Sequence, residues 1–180
     1  MACHIVFCCM NFYEGQFFVF SCVYQKTDVA ERDFPCYNVF MNDTLIYKKL
    51  IESAIKMLDF SYVPYSHFHV GAALLTDDEK IYTGCNIENA AYGPSNCAER
   101  TAIFKAVSKG KLSFKAIAVV GGPEDETGKA MIKDFCPPCG VCRQVMAEFC
   151  KKDFEIILAK SPEEYKVFTL GELLPESFSL

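Results

Sequence analysis

The sequence has no surplus of positive charge. Lysine and arginine number 18 against 23 aspartates and glutamates, a net charge of −5. No basic stripe is therefore present of the kind that neutralises phosphates along a nucleic acid. Nor is there an unbroken apolar run of the roughly 20 residues that a membrane helix needs. The longest candidate, Met1 to Tyr24, is interrupted at Asn11, Glu14, Gly15 and Gln16. The same stretch lacks the basic start and the small-residue cleavage site of a secretory leader. A disulfide framework is disfavoured as well: the eleven cysteines are an odd number, and a chain of 180 residues is long enough to bury a core without staples. The expectation is a cytoplasmic protein, without nucleic-acid or membrane partners, that acts on a small molecule in a compartment that keeps thiols reduced.

What the chain does have falls into two parts. Residues 1–40 hold five cysteines and ten aromatics with no clean period. They read either as a loosely attached extension or as upstream read-through before a native start at Met41. Residues 41–180 read as one domain. Asn42 or Asp43 is a candidate cap for a helix over residues 44–59, with Ile46, Leu50, Ala54 and Leu58 on one face. Alternation from Phe68 to Leu75 predicts a strand, and Lys80 to Cys85 its antiparallel hairpin partner. A helix is expected over residues 97–109, with Ile103, Phe104 and Val107 inward and Gly110 as its stop. A buried strand at 116–120, a polar loop from Gly121 to Phe135, a helix at 139–150, and strands at 154–159 and 165–168 follow. Thr169 and Glu172 have capping-box spacing. Helices alternating with strands imply a mixed sheet with helices on its faces.

Two short stretches carry the chemistry: Cys97-Ala98-Glu99 and Pro138-Cys139-Gly140-Val141-Cys142. Three thiolates fill three positions on a tetrahedral zinc and leave the fourth open, which marks a catalytic site. A helix start favours thiolate over thiol. Glu99, two residues after the first cysteine, is placed to move protons in a dry pocket. Arg100 and Arg143 follow the two clusters and are candidates to donate to ligand sulfurs. The alternatives are a structural zinc with Cys136 as fourth ligand, which strands Glu99, and surface ion pairs for the arginines. A cysteine or histidine, then x-Glu, then Pro-Cys-x-x-Cys, is the signature of zinc-dependent nucleobase deaminases.

With these stretches in place, residues 41–178 resemble the cytidine deaminase family in its small homotetrameric form. The resemblance runs through Pro64-Tyr65-Ser66-His67-Phe68, Val70 to Leu75, Gly84 to Ala90, Cys97 to Ala102, Pro138 to Gln144 and Glu172 to Pro175. It implies a three-layer αβα fold with a mixed five-stranded sheet. It implies one zinc per chain on Cys97, Cys139 and Cys142, Glu99 as proton shuttle, and a nucleoside substrate drawn from pyrimidine salvage. By the same resemblance Asn86 and Glu88 bind the ribose hydroxyls, Phe68 packs on the substrate, the Ala98 N–H meets the base carbonyl, and Phe178 closes a neighbouring subunit's site. The residues themselves leave Asn86 and Glu88 open between sugar binding and a strand-ending turn. The sequence departs from the family's pattern in residues 1–40, in the long loop Gly121 to Cys136 with Glu124, Asp125 and Glu126, and in a tail only two residues beyond Phe178. Rival readings are a blasticidin-type deaminase, a polynucleotide deaminase and a non-catalytic zinc module.

Overall fold

The structure, a computed structural model, describes residues 35–178, with side chains from residue 43 onward. Most of the extension expected over residues 1–40 lies outside the described residues. The elements in chain order are α1 (Pro35–Ile55), a 3₁₀ turn (Leu58–Phe60), β1 (Phe68–Thr76), β2 (Ile81–Cys85), α2 (Ala98–Val107), β3 (Phe114–Pro123), α3 (Gly140–Phe149), β4 (Glu155–Ala159), β5 (Tyr165–Thr169) and α4 (Leu170–Leu173).

The five strands form one sheet in the order β2-β1-β3-β4-β5. β3 and β4 run parallel; the other neighbours are antiparallel, so the sheet is mixed as expected. Successive strand residues point to opposite faces, and the core divides accordingly. Ala73, Leu75, Ala116, Ala118, Val120 and Ile157 pack with Leu50, Ile51 and Ala54 of α1. Ala72, Leu74, Ile117, Val119, Ile156 and Leu158 pack on the other face with Ala98, Ala102, Ile103 and Ala106 of α2 and Met146 of α3. This gives the three layers, one helix on one side and two on the other. Leu50 and Ile51 are wholly buried, and each such side chain contributes about 1.5–3 kcal/mol of apolar transfer. Tyr47 adds a 2.7 Å hydrogen bond from its Oη to Glu155 Oε2, across to the start of β4.

Four expectations need correction. α1 begins at Pro35, whose fixed φ and missing N–H suit a first helical turn, so Asn42 and Asp43 lie inside the helix and not at its start. It ends at Ile55, and Leu58 stays in the core through the 3₁₀ turn rather than through a continuing helix. Phe104 is 46% exposed: the buried stripe of α2 is the alanine row 98-102-106 with Ile103, which lets the helix lie close to the sheet. β3 runs on to Pro123, because Gly121 and Gly122 keep pairing with Val70 and His69 of β1. The capping box at α4 forms as expected, with Glu172 N donating to Thr169 Oγ1 and Thr169 N donating to Glu172 Oε2.

Candidate metal centre and active site

Both cysteine stretches fold as helix starts. Cys97 is the extended residue before α2, with ψ 156°, and Cys139 the extended residue before α3, with ψ 165°. Neither sulfur caps its own helix; both turn toward Cys142, in the first turn of α3. The Cys97 and Cys139 sulfurs are 3.9 Å apart, the Cys139 and Cys142 sulfurs 3.5 Å, and all three lie within 4.8 Å of one another. Zinc holds thiolate sulfur at about 2.3 Å, which sets two sulfurs of a tetrahedral site about 3.8 Å apart. The triangle therefore fits zinc.

Its electrostatics agree. The hydrogen bond from Cys142 pulls the Cys97 thiol down to about 5 against the opposing effect of burial, and the Arg100 guanidinium helps. The Cys142 thiol is pushed up by that same hydrogen bond, with burial and the nearby negative charges adding to it. One proton is thus shared within the pair, and a divalent cation among the sulfurs is what lets all three ionise together.

Arg100 Nη2 lies 3.6 Å from Cys97 Sγ and donates to Ser95 O at 3.1 Å. Arg143 is placed differently. Its Nε donates to Pro138 O and its Nη1 to Leu173 O, both at 2.7 Å. The guanidinium fork is spent fastening the approach to Cys139 and the end of α4, with no sulfur bond among the described residues. The turn around Cys97 has two supports that the sequence reading missed. Thr101 Oγ1 donates to Cys97 O at 3.1 Å and accepts from Asn96 Nδ2 at 3.0 Å. A threonine four residues after a helix cap, able to reach back to a carbonyl, was the available signal.

Glu99 sits in the first turn of α2, 3% exposed. Burial pushes its carboxyl up to about 7, with the Cys97 charge adding to the rise. A carboxyl poised near neutrality beside a metal centre can both accept and return a proton. Ala98 is the first residue of α2 and fully buried, and a first-turn N–H is one the helix leaves unused.

Asn86, Glu88 and Phe68 gather at the start of β1. Asn86 follows β2 and binds β1 through both side-chain groups: Oδ1 accepts from Val70 N and Nδ2 donates to Phe68 O, both at 2.8 Å. Glu88 Oε2 accepts from Tyr65 N at 3.1 Å and Ser66 N at 3.2 Å. Partial desolvation opposes its ionisation, but the hydrogen bonds from Ser66 and Tyr65 outweigh it and hold the carboxyl below its ordinary range. A hollow of about 170 Å³ lies against it, lined by Tyr65, Ser66, Glu88, Asn89, Tyr92 and Ser95. A larger one of about 360 Å³, by Asp77, Phe114 and Cys150, contains none of the site residues. Phe68 is 38% exposed and Phe178 69%. The latter is anchored by its carbonyl, which accepts from Gln144 Nε2 at 3.1 Å, while its ring has no place in this chain's own core.

Comparison with known proteins agrees with this geometry. The family model described as the cytidine and deoxycytidylate deaminase zinc-binding region matches residues 46–158. A cytidine deaminase of Sporosarcina psychrophila is 50% identical over 132 residues, 73% of this chain and 90% of its own length. One of Halalkalibacterium halodurans is 49% identical over 130 residues, covering 72% and 92%. A crystal structure of cytidine deaminase from Burkholderia pseudomallei superposes with a TM-score of 0.63 at 46% identity, covering 72% of this chain and 97% of that one. The chain belongs to the cytidine and deoxycytidylate deaminase family.

Proposed function

We propose that the chain is a zinc-dependent hydrolase that converts cytidine and deoxycytidine, with water, to uridine and deoxyuridine and ammonia. The observation that carries this is the pairing of a sulfur triangle of zinc dimensions with a buried carboxyl held near neutrality two residues from one of its ligands. One zinc per chain, held by Cys97, Cys139 and Cys142, supplies Lewis-acid activation of water. The chain's own residues do the rest. Glu99 passes the first proton of the attacking water to ring N3 as water adds across the C4=N3 bond, and the remaining hydroxyl proton to the amino group as the C4–N bond breaks and ammonia leaves. The unused N–H of Ala98 orients the base through its carbonyl, and Phe68 packs on the ring. The second Nδ2 hydrogen of Asn86 and the Oε1 of Glu88 remain for the ribose hydroxyls, since an amide nitrogen carries two donors and a carboxylate two oxygens.

The assembly proposed is a homotetramer with shared sites. Tyr62, Tyr65, Ile87, Tyr92 and Phe178 are all exposed, and the first four lie close together: Tyr62 bridges Ile87, and Tyr65 and Tyr92 line one hollow. Apolar groups gathered at the surface mark a protein contact. Among the described residues no helix is long and apolar enough to cross a membrane. A thiolate site calls for a reducing compartment, in keeping with cytoplasmic pyrimidine salvage of small nucleosides.

Glu99→Gln tests the reading. The variant keeps all three thiolates, so its zinc content should match the wild type, while the loss of cytidine absorbance should slow by more than the roughly 10²–10⁴-fold usual for one general acid–base group. Near-normal turnover with zinc in place removes the assignment.

A further inference from the structure

The acidic loop after β3 takes no part in the reaction above, yet its first carboxylate is bound in place. Glu124 follows Pro123, the β3 residue paired with Phe68. Its N–H donates to His67 O at 2.9 Å. Its carboxylate reaches both histidines that flank Phe68: Oε1 is 2.7 Å from His67 Nδ1 and Oε2 is 3.4 Å from His69 Nε2.

The two histidines take different things from it: His67 is mostly exposed, His69 buried. His67 has a φ of +53°, a conformation uncommon outside glycine. It is held there by its N–H on Val63 O at 3.1 Å and by the two contacts from Glu124. His69 is buried. Its Nδ1 lies 2.6 Å from Ser61 Oγ, and the Ser61 hydroxyl donates to Leu58 O at 2.6 Å. A hydroxyl has one hydrogen, so Oγ accepts from His69 Nδ1. The other ring nitrogen, buried and without a hydrogen-bond partner among the described residues, faces the Glu124 carboxylate, to which it is a donor when the ring carries both protons.

Glu124 is itself set by a folded turn. It bridges Ala130, and Asp125 Oδ1 accepts from Thr127 N, Thr127 Oγ1 and Lys129 N. On the opposite side, Asn86 and Glu88 fasten residues 65–70 through the backbone. Phe68 is thus clamped from two sides, and Glu124 is the clamp on the β3 side.

We propose that Glu124 is a positioning residue for the nucleoside: by fixing His67 and His69 it sets the Phe68 ring on which the base packs. This rests on the assignment of Phe68 to the substrate made above. An aromatic stack on a base is worth roughly 5- to 150-fold in binding. A loosened ring forfeits part of that.

Glu124→Ala should raise the KM for cytidine about 5- to 10-fold, with kcat within about twofold and zinc per chain unchanged, the pattern of lost binding that ground and transition states share. Glu124→Gln keeps an acceptor for His67 and should recover part of the loss. The deciding measurement is a double-mutant cycle with Phe68→Ala. If Glu124 acts through Phe68, the double variant has the KM of Phe68→Ala alone. Additive losses, or a wild-type KM in Glu124→Ala beside a raised one in Phe68→Ala, overturn the proposal only. A wild-type KM in Phe68→Ala removes the Phe68 assignment and the proposal with it. Should Glu124→Ala fail to fold, His67→Asn serves in the same cycle, since asparagine tolerates the left-handed backbone and is too short to reach Glu124.

Discussion

Glu88 takes two backbone N–H groups on one oxygen and is held in its ionised form. A hydrogen bond from a sugar hydroxyl to the other oxygen is then charge-assisted, and such bonds contribute about 1.5–3 kcal/mol. Glu88→Gln should therefore lower kcat/KM for cytidine roughly 10- to 100-fold while zinc content stays that of the wild type, and free cytosine should be a poor substrate of the unmodified enzyme. Steady-state turnover of cytidine and cytosine checks both; equal turnover of the two by the wild type removes the ribose role. At this scale the sequence was a good guide where spacing itself dictates geometry. One residue between Cys97 and Glu99 at a helix start, or two between Cys139 and Cys142 within one turn, leaves little freedom. It was a poor guide where a long side chain chooses among partners. Arg100 and Arg143 occupy equivalent places after their clusters, yet one meets a sulfur and the other two carbonyls. Glu124 reaches histidines more than fifty residues earlier in the chain, a contact that only the β1–β3 register creates.

The metal centre depends on how closely α2 lies on the sheet. Gly84 of β2 faces the first turns of that helix, and a Cβ there would collide with the backbone of Ala98 and Ala102. Glycine within a strand marks this kind of close approach. Gly84→Ala must push α2 outward and carry Cys97 with it, an overpacking that costs about 1–3 kcal/mol. The denaturant midpoint should fall, and zinc should be lost at chelator concentrations the wild type withstands; an unchanged midpoint and zinc retention would show that the contact has slack. Periodicity found every strand and the helices that follow them, because one buried face imposes a repeat of 2 or 3.6 residues. It misplaced the start of α1, since Asn42 and Asp43 look like caps on a helix that continues through them. It also cut β3 short, since glycines read as a turn although here they extend a ladder.

The proposed assembly rests on side chains that this chain leaves uncovered. Cys139 is exposed, and Tyr65 and Tyr92 line a surface hollow, Tyr92 being 92% exposed. Phe178 lies past Pro175 with its backbone tied to α3 and its ring in solvent. Closed symmetry lets one such patch serve every subunit, so a homotetramer in which Phe178 enters a neighbour's pocket accounts for both features. Phe178→Ala should raise KM while zinc stays bound, but a raised KM alone does not say whose site the ring enters. Mixing chains does. Phe178→Ala chains supply an intact Glu99, and Glu99→Gln chains supply an intact Phe178. When subunits exchange, some sites pair the first chain's Glu99 with the second chain's Phe178, and these regain both groups. At substrate concentrations well below the KM of Phe178→Ala, the mixture should exceed the summed activities of the two parents. A mixture that never exceeds that sum, after exchange has been verified by mass, places Phe178 over its own chain or outside the site. Light scattering of a fully active monomer would overturn the shared site directly.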